Sequence, residues 1–207
     1  MYIDKIEPLD KRRSRVYLDG EFAFALYNGE IRRYRLEEGC EIEEPLYEEI
    51  LRETVCRRAR ERALYLLRDM DRTEHELRAK LKSGGYPDPA IEEALAFLKE
   101  YHYVDDAAYA RNYVEAHGGK KSRAQLMQSL WRKGIDRALA EELYEEIRPD
   151  TAEQIQRLLR KKGYTGQEVS REEKGKLAAY LMRRGFSWEE ARNALNSSAF
   201  DSARCFL

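Results

Sequence analysis

Three stretches of this chain share one spacing, and that repeat constrains the fold more than any other feature. Leu77, Leu81, Gly85 and Tyr86 are spaced like Leu126, Leu130, Gly134 and Ile135, and again like Leu177, Leu181, Gly185 and Phe186, at shifts of 49 and 51 residues. Two leucines four apart lie one turn above each other on a helix. A glycine four residues later supplies the left-handed conformation that closes a helix, and the apolar residue after it folds back onto the last turn. The unit is therefore a helix, a glycine stop and a turn. A period near 50 residues that recurs three times implies tandem modules rather than one enzyme domain.

Capping residues extend the unit in both directions. Thr73 with Glu76, Ser122 with Gln125 and Ser170 with Glu173 form capping boxes at the start of the leucine helix. A second helix follows each glycine, opened by Asp88 before Pro89, by Asp136, and by Ser187 with Glu190. Apolar residues recur nine beyond each glycine, at Ala94, Leu143 and Ala194. A preceding helix completes each module: residues 46–69, with a four-residue stripe of Leu51, Val55, Ala59, Ala63 and Leu67; residues 105–117, capped by Asp105 or Asp106; and residues 151–162, capped by Asp150 or Thr151.

The first 40 residues have a different pattern. Asp19-Gly20 lies between Val16-Tyr17-Leu18 and Glu21-Phe22-Ala23-Phe24, the sequence of a tight hairpin. Ile3 and Ile6 are candidates for a third strand. The expected fold is mainly α, with three tandem three-helix modules in an elongated, curved array behind a small N-terminal β-hairpin or sheet. The expected boundaries are a hairpin region at 1–43, modules at 44–104, 105–149 and 150–196, and a tail at 197–207.

Composition excludes several functional classes. The chain holds 38 Lys and Arg against 39 Asp and Glu, with 43% hydrophobic residues, so it is charge-laced yet apolar enough to fold. Its longest charge-free runs, such as Phe22 to Gly29, fall far short of the roughly 20 apolar residues of a membrane span. The early acids Asp4, Glu7 and Asp10 do not resemble a secretory signal, so the expected location is cytoplasmic. Cys40, Cys56 and Cys205 are odd in number and suit a reducing compartment, while His75, His102 and His117 lack metal-site spacing.

Catalytic motifs fail on inspection. Gly118-Gly119-Lys120-Lys121-Ser122 has Val114 where a phosphate loop needs glycine, and Ser83-Gly84-Gly85 has Leu81 where a nucleophile elbow needs one. The carboxylate pairs Glu92-Glu93, Glu141-Glu142 and Glu145-Glu146 lie among basic residues as helix-surface partners. No catalytic, cofactor or metal residue is expected.

The basic residues are more informative. Residues 151–207 hold 11 basic and 7 acidic side chains, whereas residues 41–104 hold 11 and 15. Cations gather near the repeat turns: Lys120, Lys121, Arg123, Arg132 and Lys133 in the second module, and Arg160, Lys161, Lys162, Arg171, Lys174, Lys176, Arg183 and Arg184 in the third. Complementing helix dipoles accounts for part of this. The functional reading makes all thirteen candidate contacts to a polyanion or an acidic protein surface. The step-like Tyr101, Tyr103, Tyr109 and Tyr113 read as packing at a module junction, with base stacking as the alternative.

Taken in order, Glu76-Leu77 within the helix Thr73 to Leu81, Tyr103-Val104-Asp105-Asp106 with Tyr109-Ala110, Trp131-Arg132-Lys133-Gly134-Ile135, and Tyr180-Leu181-Met182-Arg183-Arg184-Gly185-Phe186-Ser187 resemble the RecX family, the bacterial regulators of the RecA recombinase. The resemblance runs from about Ile3 to Leu195. It implies a non-enzymatic monomer that binds the groove of the RecA nucleoprotein filament. Such a protein modulates ATP hydrolysis, strand exchange and filament stability, most often as an inhibitor, in DNA repair and the SOS response. It needs no cofactor, and its contact with single- or double-stranded DNA would be weak and salt-sensitive. The connector from Gly163 to Lys174 and the tail from Asn196 to Leu207 lie outside the resemblance. The rival reading is a helical repeat protein that binds single-stranded DNA without a recombinase; a plain protein scaffold is a third.

Overall fold

A computed structural model describes residues 1–164 and 170–196. The expected tail at 197–207, with Cys205, lies outside the described residues. Three antiparallel strands, β1 (Ile3–Pro8), β2 (Arg13–Leu18) and β3 (Glu21–Tyr27), form a sheet in the order β1-β2-β3. Asp19 and Gly20 both take positive φ, 48° and 85°, as the tight turn between β2 and β3 requires. Ile3 enters the core fully and Ile6 packs at its edge. The short helix α1 (Asn28–Tyr34) has no counterpart in the sequence reading. Glu30 stabilises its start by accepting a hydrogen bond from the Tyr27 N–H at 2.8 Å.

The expected helix at 46–69 is present but is not uniformly α. It runs as α2 (Glu44–Glu49), a π-helical segment (Ile50–Cys56) and α3 (Arg57–Leu67). The wider turn breaks the four-residue stripe. Ile50, Thr54, Val55 and Cys56 become buried, while Leu51 only packs at the periphery. Thr54 gains a partner there, its hydroxyl lying 2.9 Å from the Tyr34 hydroxyl.

Eight helices follow: α4 (Glu74–Ser83), α5 (Asp88–Glu100), α6 (Asp106–His117), α7 (Arg123–Arg132), α8 (Arg137–Ile147), α9 (Ala152–Lys161), α10 (Arg171–Arg183) and α11 (Trp188–Asn196). They complete three three-helix modules, α3–α5, α6–α8 and α9–α11. All three predicted capping boxes form, and Asp136 caps α8 by accepting from the Ala138 and Leu139 N–H groups. Asp88 does not cap α5. Pro87 holds the cap position, Asp88 is already helical, and its carboxylate pairs with Lys82 at 3.3 Å. At α9 the cap role falls to Asp150, which accepts from Ala152 N–H at 2.8 Å, because the Thr151 hydroxyl is donated to Glu190 at 2.8 Å.

The repeat glycines act as the spacing requires. Gly85, Gly134 and Gly185 have φ of 83°, 81° and 91°. The N–H of the following Tyr86, Ile135 and Phe186 reaches back to the carbonyl of Leu81, Leu130 and Leu181 at 3.3, 3.1 and 3.3 Å. The anchoring leucines are fully buried except Leu177, which packs at the edge while the neighbouring Ala178 takes the interior.

The chain divides into two compact units, Met1–Asp106 and the residues from Ala107 onward. In the first, sheet and module share one core. Arg58 ties them: its guanidinium donates to Glu30 and to the Ala25 carbonyl, both at 2.8 Å, and lies over the Tyr27 ring. Asp106 accepts from the Glu74 N–H at 2.9 Å, so the end of this unit completes the start of α4. Burial pushes its carboxyl above the ordinary range, the Glu74 charge adds to this, and the hydrogen bond opposes it.

The second unit holds two separate cores, one per module. They are joined where the α10 turn meets the start of α7. Ser122 Oγ donates to the Arg184 carbonyl at 2.7 Å. A Cβ on Gly185 would lie 2.6 Å from Ala124 Cβ and 2.8 Å from Ser122 Oγ.

Two outcomes are expected from this packing. Gly185→Ala adds a clash to a left-handed backbone and should destabilise by about 2–4 kcal/mol. Gly175→Ala, in the interior of α10 with open space around it, should stabilise by about 0.5–1 kcal/mol. Urea denaturation followed by circular dichroism compares them. Asp106→Asn should be more stable than the parent at pH 7, because ionising a buried carboxyl whose folded-state value is raised costs stability. The cost disappears as pH falls below the ordinary aspartate range, so the two midpoints should converge near pH 3.

Candidate interaction surface

The thirteen predicted cations sort by what holds each side chain. In the second module Lys121 and Lys133 converge on one tyrosine. Lys121 Nζ lies 4.8 Å from the Tyr113 ring centroid, hydrogen-bonds to its hydroxyl and donates to Ser129 Oγ at 3.3 Å. Lys133 Nζ lies 5.1 Å from the Tyr109 ring and 5.9 Å from that of Tyr113. The His117 ring stacks on Tyr113 with centroids 4.1 Å apart. In the third module Lys162 and Arg184 flank Tyr180, at 4.9 and 5.0 Å from its centroid. Each contact contributes about 0.5–1 kcal/mol at an exposed site. Their larger effect is to hold long side chains in fixed positions beside a ring.

Three other candidates are differently engaged. Arg123 lies 5.2 Å from the Tyr144 ring and pairs with Glu145 at 2.9 Å, and Lys176 pairs with Glu172 at 2.7 Å. These two already have a carboxylate neighbour. Lys120 is exposed, and its carbonyl accepts from Gln154 Nε2. Arg132, Arg160, Lys161, Arg171 and Arg183 are exposed, and Lys174 is half-buried.

Helix dipoles explain some of these positions and not others. Arg132, Lys133, Arg160, Lys161, Lys162, Arg183 and Arg184 lie at the C-terminal ends of α7, α9 and α10, where a cation is favoured. Lys120, Lys121 and Arg123 flank the start of α7, and Arg171 opens α10, where the dipole opposes positive charge. At Lys121 the opposition is met by the Tyr113 hydroxyl and ring.

Tyr113 responds to its neighbours. Burial raises its phenol, but the Lys121 and Ser129 hydrogen bonds and the charges of Lys121 and Lys133 outweigh burial and leave it below the ordinary tyrosine value. Tyrosines as cation platforms were missed by sequence reasoning for Tyr113, because its partners lie 8 and 20 residues away. The Tyr180–Arg184 pair, at i, i+4, was detectable. Tyr101 and Tyr103, expected as junction packing, are exposed, with the Tyr101 ring tilted against Phe97 at a centroid distance of 4.7 Å.

Among the described residues no group of three or more His, Cys, Asp or Glu side chains is placed to hold a metal ion, and no helix is long and apolar enough to cross a membrane. The glutamate pairs are ion-paired on surfaces: Glu92 with Arg78, Glu93 with Arg60 at 3.5 Å, Glu141 with Arg137 at 2.9 Å and Glu146 with Arg111 at 2.9 Å. The Gly118 to Lys121 segment is a turn, in which a Cβ on Gly118 would collide with Pro149.

Comparison with known proteins matches this architecture module by module. Profiles described as the first, second and third three-helix domains of RecX match residues 59–98, 105–143 and 149–195. The regulatory protein RecX of Caldanaerobacter subterraneus subsp. tengcongensis is 33% identical over 184 residues, covering 87% of this chain and 91% of its own. The one from Clostridium acetobutylicum is 28% identical over 201 residues, covering 93% and 94%. A crystal structure of regulatory protein RecX superposes with a TM-score of 0.63 at 29% identity, covering 95% of this chain and 99% of its own.

Removing the ammonium group that depresses Tyr113 should move that phenol back up. In Lys121→Ala the Tyr113 titration, followed by the ring-carbon resonances of 13C-labelled tyrosine, is expected at higher pH than in the parent. Unchanged titration would mean that Lys121 does not sit on the ring in solution.

Proposed function

Because the chain belongs to the RecX family of regulatory proteins, we propose that it is a non-enzymatic regulator of the RecA recombinase, acting as an inhibitor. In this reading it binds as a monomer in the groove of the RecA nucleoprotein filament, in the cytoplasm, during DNA repair and the SOS response. There it slows ATP hydrolysis and strand exchange and alters filament stability. The observation that carries the reading beyond the family is the pair of tyrosine-held cation sites in successive modules, Lys121 and Lys133 on Tyr113, and Lys162 and Arg184 on Tyr180. Two fixed positive sites on consecutive repeats suit a partner that is itself a repeating, acidic polymer.

The same sites favour one alternative, since cations beside half-buried aromatic rings also suit a single-stranded nucleic acid backbone. Affinity for bare single-stranded DNA compared with affinity for the recombinase-coated strand separates the two, and a steep salt dependence is expected for any direct DNA contact.

The decisive measurement is RecA ATP hydrolysis on single-stranded DNA with and without the protein. A reduced rate is expected; an unchanged rate and filament lifetime would sink the proposal. Reversing Arg132 and Lys133 to Glu, or Arg183 and Arg184 to Glu, should weaken filament binding at least tenfold while the helical circular dichroism stays unchanged. Normal binding by folded variants would remove these turns from the interface.

A further inference from the structure

A cleft of about 520 Å³ opens in the second unit, between α7, α8 and the turn that closes α10. Its apolar wall is made by Ala124, Met127, Trp131, Ile135, Ala140 and Phe186. Its volume lies within the roughly 300–1,000 Å³ of ligand-binding clefts. Trp131 is 72% exposed, although its neighbours Leu130 and Ile135 are buried. An indole left in water beside an apolar hollow is the kind of residue that anchors protein interfaces. Gly185 lines the cleft, and beside it Ser122 ties the α10 turn to the start of α7 by its hydrogen bond to the Arg184 carbonyl.

Charge around the cleft selects the occupant. The cations in its lining, Arg123 and Arg137, are each paired at 2.9 Å, with Glu145 and Glu141, so the hollow itself is close to neutral. The turns that supply Ile135 and Phe186 also carry Arg132 and Arg183, both exposed and without an ion pair among the described residues. An apolar centre with free cations on its two flanking turns fits a protein segment that presents large apolar side chains between acidic residues. A nucleic acid would need positive charge along its backbone inside the groove, where the charges here are cancelled.

We propose that this cleft receives an acidic, apolar-anchored segment of the recombinase, with Trp131 as the principal contact; the inference rests on the regulatory reading above. It makes the apolar cleft, and not the basic ridges alone, the determinant of partner choice.

The test uses the full chain and RecA assembled on single-stranded DNA with a non-hydrolysable ATP analogue. Trp131→Ala should lower affinity about tenfold or more with unchanged circular dichroism, and Trp131→Phe should recover part of the loss. In a Trp188→Phe background labelled with 5-fluorotryptophan, the single 19F resonance of Trp131 should shift and lose its solvent isotope effect on adding the filament. If the parent protein does not bind the filament, the regulatory reading falls and this inference with it. If the parent binds and Trp131→Ala binds equally well, only the cleft assignment is overturned. An equal loss of affinity for bare single-stranded DNA would identify a nucleobase as the occupant. Self-association in sedimentation that Trp131→Ala abolishes would identify a second copy. Either result overturns the proposal.

Discussion

The three modules depend on one local interaction, the hydrogen bond from the residue after a left-handed glycine back to a leucine carbonyl at the end of the second helix. It stops α4, α7 and α10 at fixed lengths and places Tyr86, Ile135 and Phe186 against the cores those leucines build. A residue with a Cβ would pay roughly 1 kcal/mol or more for the backbone conformation alone. In α4 and α7, each 10 residues long, the helix buries two leucines one turn apart; α10, at 13 residues, buries Ala178 and Leu181. The same turn then does different work in each context. Arg13 donates to the Gly84 carbonyl at 3.0 Å, fastening the first turn to the sheet, whereas the third turn fastens to α7 through Ser122 and Arg184.

Near-neutral overall charge conceals local organisation. Much of the surface charge is paired, as in Arg78 with Glu74 and Glu92 or Arg111 with Glu146, and such exposed pairs add little to stability. At the glycine turns, tyrosines hold several cations in place. A ring beside an ammonium group restrains a flexible chain without neutralising it. A carboxylate, as at Arg123 and Lys176, restrains and neutralises together.

Much of the fold was legible because its signals are local. Capping boxes span three residues, the glycine stop spans five, and the Asp19-Gly20 turn spans two. Where the reading failed, long-range packing had intervened. In the π-helical segment Ile50, Thr54, Val55 and Cys56 are all buried and Thr54 meets Tyr34 of α1, a pattern no four-residue stripe encodes. Asp88 looked like a cap until Pro87 was seen to occupy that position and Lys82 to engage its carboxylate. The thirteen cations could be named from composition near the turns, but which of them meet a tyrosine and which a carboxylate could not.

The sequence by itself determined the number of modules, their helix ends and the placement of charge at the turns, since each is a preference of a few consecutive residues for a backbone conformation. Only the tertiary structure decided which side chains meet. Tyr113 collects Lys121 and Lys133 from the two ends of α7, Ser122 finds the Arg184 carbonyl 62 residues away, and Trp131 is left exposed at a cleft that Phe186 also lines. The first depends on how α6 packs on α7 within one module, and the other two on how closely one module packs on the next, which the missing Cβ of Gly185 permits and no local pattern encodes.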